Sequence, residues 1–279
     1  MDFVSFIRSK LRTKWVSLAV LPAWWLTSQA HSPSQSKPAP LTTISAGPST
    51  RILPPPPDYR FPDDQTYVYA IEWHMFNAGT VAVKLNSIGN EQRVSATADS
   101  AGVVTALFKV HDLFDASFDP HSFCSLRVSR HIEEGSRQRS TDLLLDYTRQ
   151  KSVLDEKNLK TGERKHTEND LPACVTDVVS GFYYLASLPL QPGNTSTFPM
   201  NDGKTTEVTS RVESREQVRV PAGTFHTVRL RVEAVSGSLK GKGQVWVWFT
   251  DDRNHTPVQM RSKLTWGTLL FRLQRVDKP

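Results

Sequence analysis

From residue 67 onward the chain alternates large apolar and polar side chains with a period of two. A backbone with that period can present one face to a core only as an extended strand. Tyr67, Tyr69, Ile71, Trp73 and Met75 put five large apolar groups on one face of the first such run. Val81, Val83 and Leu85 repeat the pattern after Asn77-Ala78-Gly79, which reads as a hairpin-type turn. Val228, Leu230 and Val232 alternate with Arg229, Arg231 and Glu233, and Leu269, Phe271 and Leu273 alternate with Leu270, Arg272 and Gln274. The same reasoning predicts strands at 92–99, 112–118, 122–132, 137–147, 204–214, 243–250 and 257–263. These are half-buried antiparallel strands with a wet outer face.

The first sixty residues do not share this rhythm. Arg8, Lys10, Arg12 and Lys14 precede an apolar stretch from Trp15 to Leu26, and Ser28-Gln29-Ala30 supplies small residues at a signal-peptidase site. Residues 1–30 therefore read as a secretory signal. The alternative is a retained anchor, but the apolar run is short and holds Pro22, whereas a spanning helix needs about 20 apolar residues. Residues 31–60, with Leu53-Pro-Pro-Pro-Pro57, are rich in Pro and Ser and read as a solvated tether. The remainder, 61–279, is long enough for one β-rich domain with a substantial core. It contains no internal repeat.

Charge points to no nucleic-acid partner. The chain carries 34 basic and 28 acidic residues, and removing the signal leaves 30 against 27, spread along the sequence. The densest basic patch is Arg127, Arg130, Arg137 and Arg139, interrupted by Glu133 and Glu134, and it reads as a solvated mixed face. Two cysteines, Cys124 and Cys174, are either one long-range bridge, as an oxidising compartment would favour, or two separate buried thiols.

Two segments have helical spacing. Val103, Val104, Leu107, Phe108 and Val110 mark 101–110; Val175, Val178, Val179, Phe182, Tyr183 and Leu185 mark 172–188, between Pro172 and Pro189. The polar 155–170 stretch reads as a loop. Ten or so antiparallel strands cannot lie flat, so the expected fold is mainly β: a curved sheet or open barrel with the 172–188 helix on its concave face.

The motifs also carry a resemblance. Val220-Pro-Ala-Gly-Thr-Phe225, Trp246-Val-Trp-Phe-Thr-Asp-Asp252, Pro257-Val258 and the short strand after Gly267 resemble the C-terminal half of the bacterial exported family called domain of unknown function 3108. Tyr67-Val-Tyr69, Ala78-Gly79, Val110-His-Asp112 and the 177–185 helix are similar as well, so the likeness covers about 64–276. It implies an envelope protein with a partly open, barrel-like antiparallel sheet, and it brings no catalytic residues.

Candidate chemistry is sparse. Asp251-Asp252 with His255 reads as turn chemistry, because adjacent strand residues point to opposite faces. Glu72 and His74 share a face without a third ligand, and Val110-His111-Asp112 offers one His beside one Asp with no nucleophile near. No G-x-S-x-G elbow, Walker loop, H-E-x-x-H or C-x-x-C is present, so neither metal nor cofactor is expected. Asn194-Thr-Ser196 and Asn254-His-Thr256 fit a glycosylation pattern that matters only in a host that uses it. Trp73, Trp246, Trp248 and Trp266 fall in expected strands. Trp73, Trp246 and Trp248 are the candidates to line a ligand site on the concave face, against a plain core role. The sequence thus leads to a non-enzymatic envelope protein that binds an apolar ligand, such as a lipid, or a partner on that face, with no membrane span once the signal is removed. The alternative is a hydrolase of an envelope polymer, its site residues unassigned.

Overall fold

The computed structural model describes residues 50–73, 76–237, 240–241, 243–264 and 267–278. The expected signal, tether residues 31–49, His74, Met75 and Trp266 lie outside the described residues. The alternating runs become fourteen strands. They are β1 (Thr66–Trp73), β2 (Phe76–Ile88), β3 (Glu91–Ser100), β4 (Val110–Phe118), β5 (Ser125–Glu134), β6 (Arg137–Asp146), β7 (Lys151–Asn158) and β8 (Arg164–Asp170), then β9 (Thr195–Asn201), β10 (Thr205–Val220), β11 (Gly223–Ala234), β12 (Gly243–Thr250), β13 (Pro257–Leu264) and β14 (Gly267–Asp277). Two short helices interrupt them, α1 (Gly102–Leu107) and α2 (Ser180–Ser187).

All fourteen strands join one sheet in the order β8-β7-β6-β5-β4-β3-β2-β1-β14-β13-β12-β11-β10-β9. Apart from β8 and β9, sequential strands pair as antiparallel neighbours, and β1 pairs with β14, so the chain's first and last strands sit mid-sheet. The edges are β8 and β9, consecutive in sequence but not paired with each other. Curvature follows from the core: Leu85, Val94 and Phe118 from β2–β4 share one cluster with Phe198, Val208, Val228, Leu230, Val247 and Phe249 from β9–β12. Strands so distant in sheet order can share a core only if the sheet curls. Tyr183, Tyr184 and Leu185 of α2 lie inside that cluster, so the helix fills the concave face as expected.

The helix is shorter than its periodicity suggested. Residues 172–179 are not helical: Ser125 donates its N–H to the Val175 carbonyl, and Thr176 bridges to Met200 of β9. Asp177 ends this extended run. Its carboxylate accepts from the N–H groups of Val179 (2.8 Å) and Ser180 (3.0 Å) and from the Ser125 hydroxyl (2.7 Å), which starts the helix. The apolar spacing of Val175 and Val178 therefore reflects burial of an extended segment.

Three strands were not foreseen. β8 and the end of β7 occupy the 155–170 stretch read as a polar loop, and the start of β7 and all of β9 also went unread. Ladder bonds to β6 order β7, and β7 in turn orders β8. β8 is an edge strand, and charged residues there discourage pairing with another chain. Asn77-Ala78-Gly79 is not the turn but the start of β2. Gly79 is needed there for close approach: a Cβ would sit 2.2 Å from the Asp99 carbonyl oxygen of β3. The end of the Pro-rich stretch also reaches the core. Ile52, Tyr59 and Phe61 pack on it, and the Tyr59 hydroxyl donates to the Tyr183 carbonyl at 3.2 Å.

Candidate functional site

Register assigns every strand residue to a face. Val247, Met260, Phe271 and Ile71 form one row across β12, β13, β14 and β1, on the concave face with α2. The neighbouring row is Trp246, Arg261, Leu270 and Glu72, on the opposite, convex face. Trp248 shares that convex face and is 4 % exposed, its indole N–H donating to Glu216. Trp73 pairs with Leu269, two residues from Phe271, and so lies on the concave side. The three tryptophans therefore do not converge, and only Trp73 belongs to the concave face.

That face changes character along the strands. Near α2 it is apolar and filled by Phe118, Phe123, Phe198 and Tyr184. At the other end it is charged. Ala98, Asp112, Ile132, Arg139 and Asn158 form one concave row, and Phe114, Arg130, Thr141 and Glu156 the next. Only Arg127 of the four-arginine patch behaves as expected, on the convex face, 3.4 Å from Asp142. The other three point inward. Arg130, 8 % exposed, pairs with Asp202 at 2.5 Å, Arg139 with Glu156 at 2.7 Å, and Arg137 with the fully buried Glu134 at 3.6 Å. The sequence held the signal: Val128, Arg130, Ile132 and Glu134 share one face, so burying the aliphatic pair buries the charged pair.

Asp112 faces inward beside the fully buried Glu134 and Arg137. Burial raises the Asp112 pKa above the ordinary carboxylate value, only partly offset by the Glu133 N–H (3.0 Å), Glu134 and Arg137. A raised carboxyl pKa means the fold holds the proton more tightly than the unfolded chain does. This contribution to stability is complete below the ordinary Asp pKa and is lost as pH rises through the raised one. Asp112→Asn should therefore flatten the decline in urea midpoint on going upward from about pH 4. An unchanged slope would contradict this.

The charged end opens at the seam between β8 and β9. The β9–β10 turn closes part of it: Gly203 lies against Leu154, and the Asn169 amide donates to the Gly203 carbonyl at 2.9 Å. Beside this contact lies a recess of about 230 Å³, lined by Glu156, Lys165, Thr167, Asn169, Asp202 and Lys204. Side chains of both signs thus meet where the two strand edges leave the barrel open.

The remaining sequence candidates are structural. Asp251 pairs with Arg215 at 2.8 Å, Asp252 accepts from the Thr250 hydroxyl and the Asn254 N–H, and His255 Nδ1 donates to the Ala186 carbonyl, anchoring α2. His111 contacts Asp99 at 2.6 Å on the convex face, whereas Asp112 faces inward. Cys124 and Cys174 are bridged, with Cα atoms 5.1 Å apart. Among the described residues no three His, Cys, Asp or Glu side chains cluster as a metal site, and no helix is long and apolar enough to cross a membrane.

Comparison with a solved barrel-like structure supports the fold. A β-barrel-like protein of domain of unknown function 1849 from Brucella abortus superposes with a TM-score of 0.55 at 9% identity, covering 83% of this chain and 100% of that one. A candidate exported protein with a YmcC-like fold from Bacteroides fragilis gives 0.36 at 8% identity, covering 79% and 98%, and a candidate lipoprotein from Parabacteroides distasonis gives 0.34 at 10%, covering 78% and 97%. No curated protein matches the chain. Residues 68–274 match the family described as protein of unknown function (DUF3108), in agreement with the motif resemblance, and the chain belongs to that family.

Proposed function

We propose that the protein is exported to the cell envelope and binds rather than converts its partner, docking a short polar segment of that partner in the recess at the β8–β9 seam. The observation carrying this reading is the division of the concave face. Its apolar part is packed by α2 and by phenylalanines, which takes the space an apolar ligand would need, while its charged part opens to solvent. The recess, about 230 Å³, is smaller than the roughly 300 Å³ at which small-molecule pockets begin, so it suits one or two residues of a larger partner. Glu156 and Asp202 can accept, and Lys165 and Lys204 can donate, so the segment should carry both kinds of polar group. The disulfide and the expected N-terminal signal support an oxidising, extracytoplasmic setting. No observation favours the hydrolase reading: the carboxyl with the raised pKa, Asp112, sits beside the fully buried Glu134.

A photoreactive residue replacing Thr167 should capture one discrete species in the host envelope. The same residue at the exposed Leu144 of the convex face should not, and adding Lys165→Glu should abolish the capture. Equal labelling at Leu144, or capture indifferent to Lys165→Glu, would contradict the reading.

A further inference from the structure

The convex face carries a second feature, independent of the seam. Register places Arg211, Arg231, Trp246 and Arg261 in one row across β10, β11, β12 and β13. Three interstrand steps separate the ends, about 14 Å. Arg231 is held by Glu213 (3.8 Å) and Glu233 (3.2 Å). Arg211 and Arg261 form no ion pair with any described residue, although Arg211 is exposed. The Arg261 guanidinium stacks over Trp246, 4.4 Å from the ring centroid, and lies 5.7 Å from that of Trp248. Stacking engages the flat face of the guanidinium and leaves its in-plane N–H fork free for a carboxylate. Trp248, beside the stack, is held by its indole N–H on Glu216. At the other end of the row, Arg211 and Arg231 border a depression of about 400 Å³.

We propose that this row binds a linear anionic polysaccharide laid across the strands, its carboxylates taken by Arg261 and Arg211. Three features favour a chain-like polyanion over a lipid bilayer. The two unpaired arginines stand at the ends of one row, Arg231 between them is occupied by Glu213 and Glu233 and so leaves a gap between anion positions, and Trp246 is half-buried rather than projecting. Trp246, a tryptophan that does not belong to the concave face, thereby acts as the platform that presents an arginine.

The test is titration of the purified protein with polygalacturonate at low salt, followed by tryptophan fluorescence. Binding should weaken as salt rises. Arg211→Gln and Arg261→Gln should each lower affinity roughly tenfold. Arg261→Lys, which keeps the charge but loses the fork, should lose nearly as much, and Arg127→Gln on the other half of the sheet should change nothing. Circular dichroism would confirm that each variant is folded. The proposal is overturned if polygalacturonate does not bind, if the Arg211 and Arg261 variants bind as well as the parent, or if Arg127→Gln weakens binding equally. It is also overturned if phosphatidylglycerol vesicles or duplex DNA bind as tightly, through the same arginines.

Discussion

Replacing either Cys124 or Cys174 by serine is expected to lower stability by about 4 kcal/mol, because the bridge closes a loop across a sequence separation of 50. The structure says what that loop closes. Cys174 begins the extended segment 174–177, in which the Val175 carbonyl accepts from Ser125 of β5 while Thr176 exchanges bonds with Pro199 and Asn201 of β9. This short segment links the two halves of the sheet at the α2 end of the barrel, and the disulfide fixes it to the entrance of β5. Removing the bond frees the segment in the unfolded chain and weakens the link between β5 and β9. Because both substitutions delete the same bond, the double mutant should lose scarcely more than either single mutant in urea unfolding. Additive losses would mean that each cysteine acts as an independent core residue.

Tyr184→Ala should have an effect of similar size. Tyr184 is 1 % exposed and lies edge-on to Phe123 (5.6 Å) and Phe198 (5.0 Å), joining α2 to the loop before β5 and to β9. An eight-residue helix is too short to persist without tertiary contacts. Emptying this position should therefore leave a cavity and loosen the helix, with a loss of about 3–5 kcal/mol. Tyr184→Phe keeps the ring and gives up only a weak acceptor for the Leu53 N–H at 3.5 Å, so it should lose less than about 1 kcal/mol. Equal losses in the two variants would show that the hydroxyl, rather than the packing of the ring, holds the helix.

Period-2 alternation made the β class, the curl and most strand positions legible, because one buried face and one wet face leave that trace directly. β8 was hidden because Arg164–Asp170 has no apolar alternation; its neighbour β7, not its own side chains, orders it. The start of α2 was misplaced because a buried extended segment and a helix can both space valines three or four apart. The inward arginines were missed for a different reason. A cluster of like charges suggests solvent, yet the face assignment follows from Val128 and Ile132, and it takes Arg130 and Glu134 with them. Asp202, the partner of Arg130, comes from the distant β9–β10 turn, and Glu156, the partner of Arg139, from β7, a strand without a sequence signal of its own, so only the fold shows that these charges are neutralised. The separation of Trp73 from Trp246 and Trp248 likewise depends on register across β1, β14, β13 and β12, which no single segment encodes.

If the protein's own residues fill the apolar part of the concave face, only its charged end is left to receive a partner. Native mass spectrometry of the protein gently purified from its host's envelope tests this most directly. The expected mass is that of the processed, disulfide-bonded chain with no lipid adduct. A stoichiometric lipid or other apolar molecule, released only on denaturation, would contradict it.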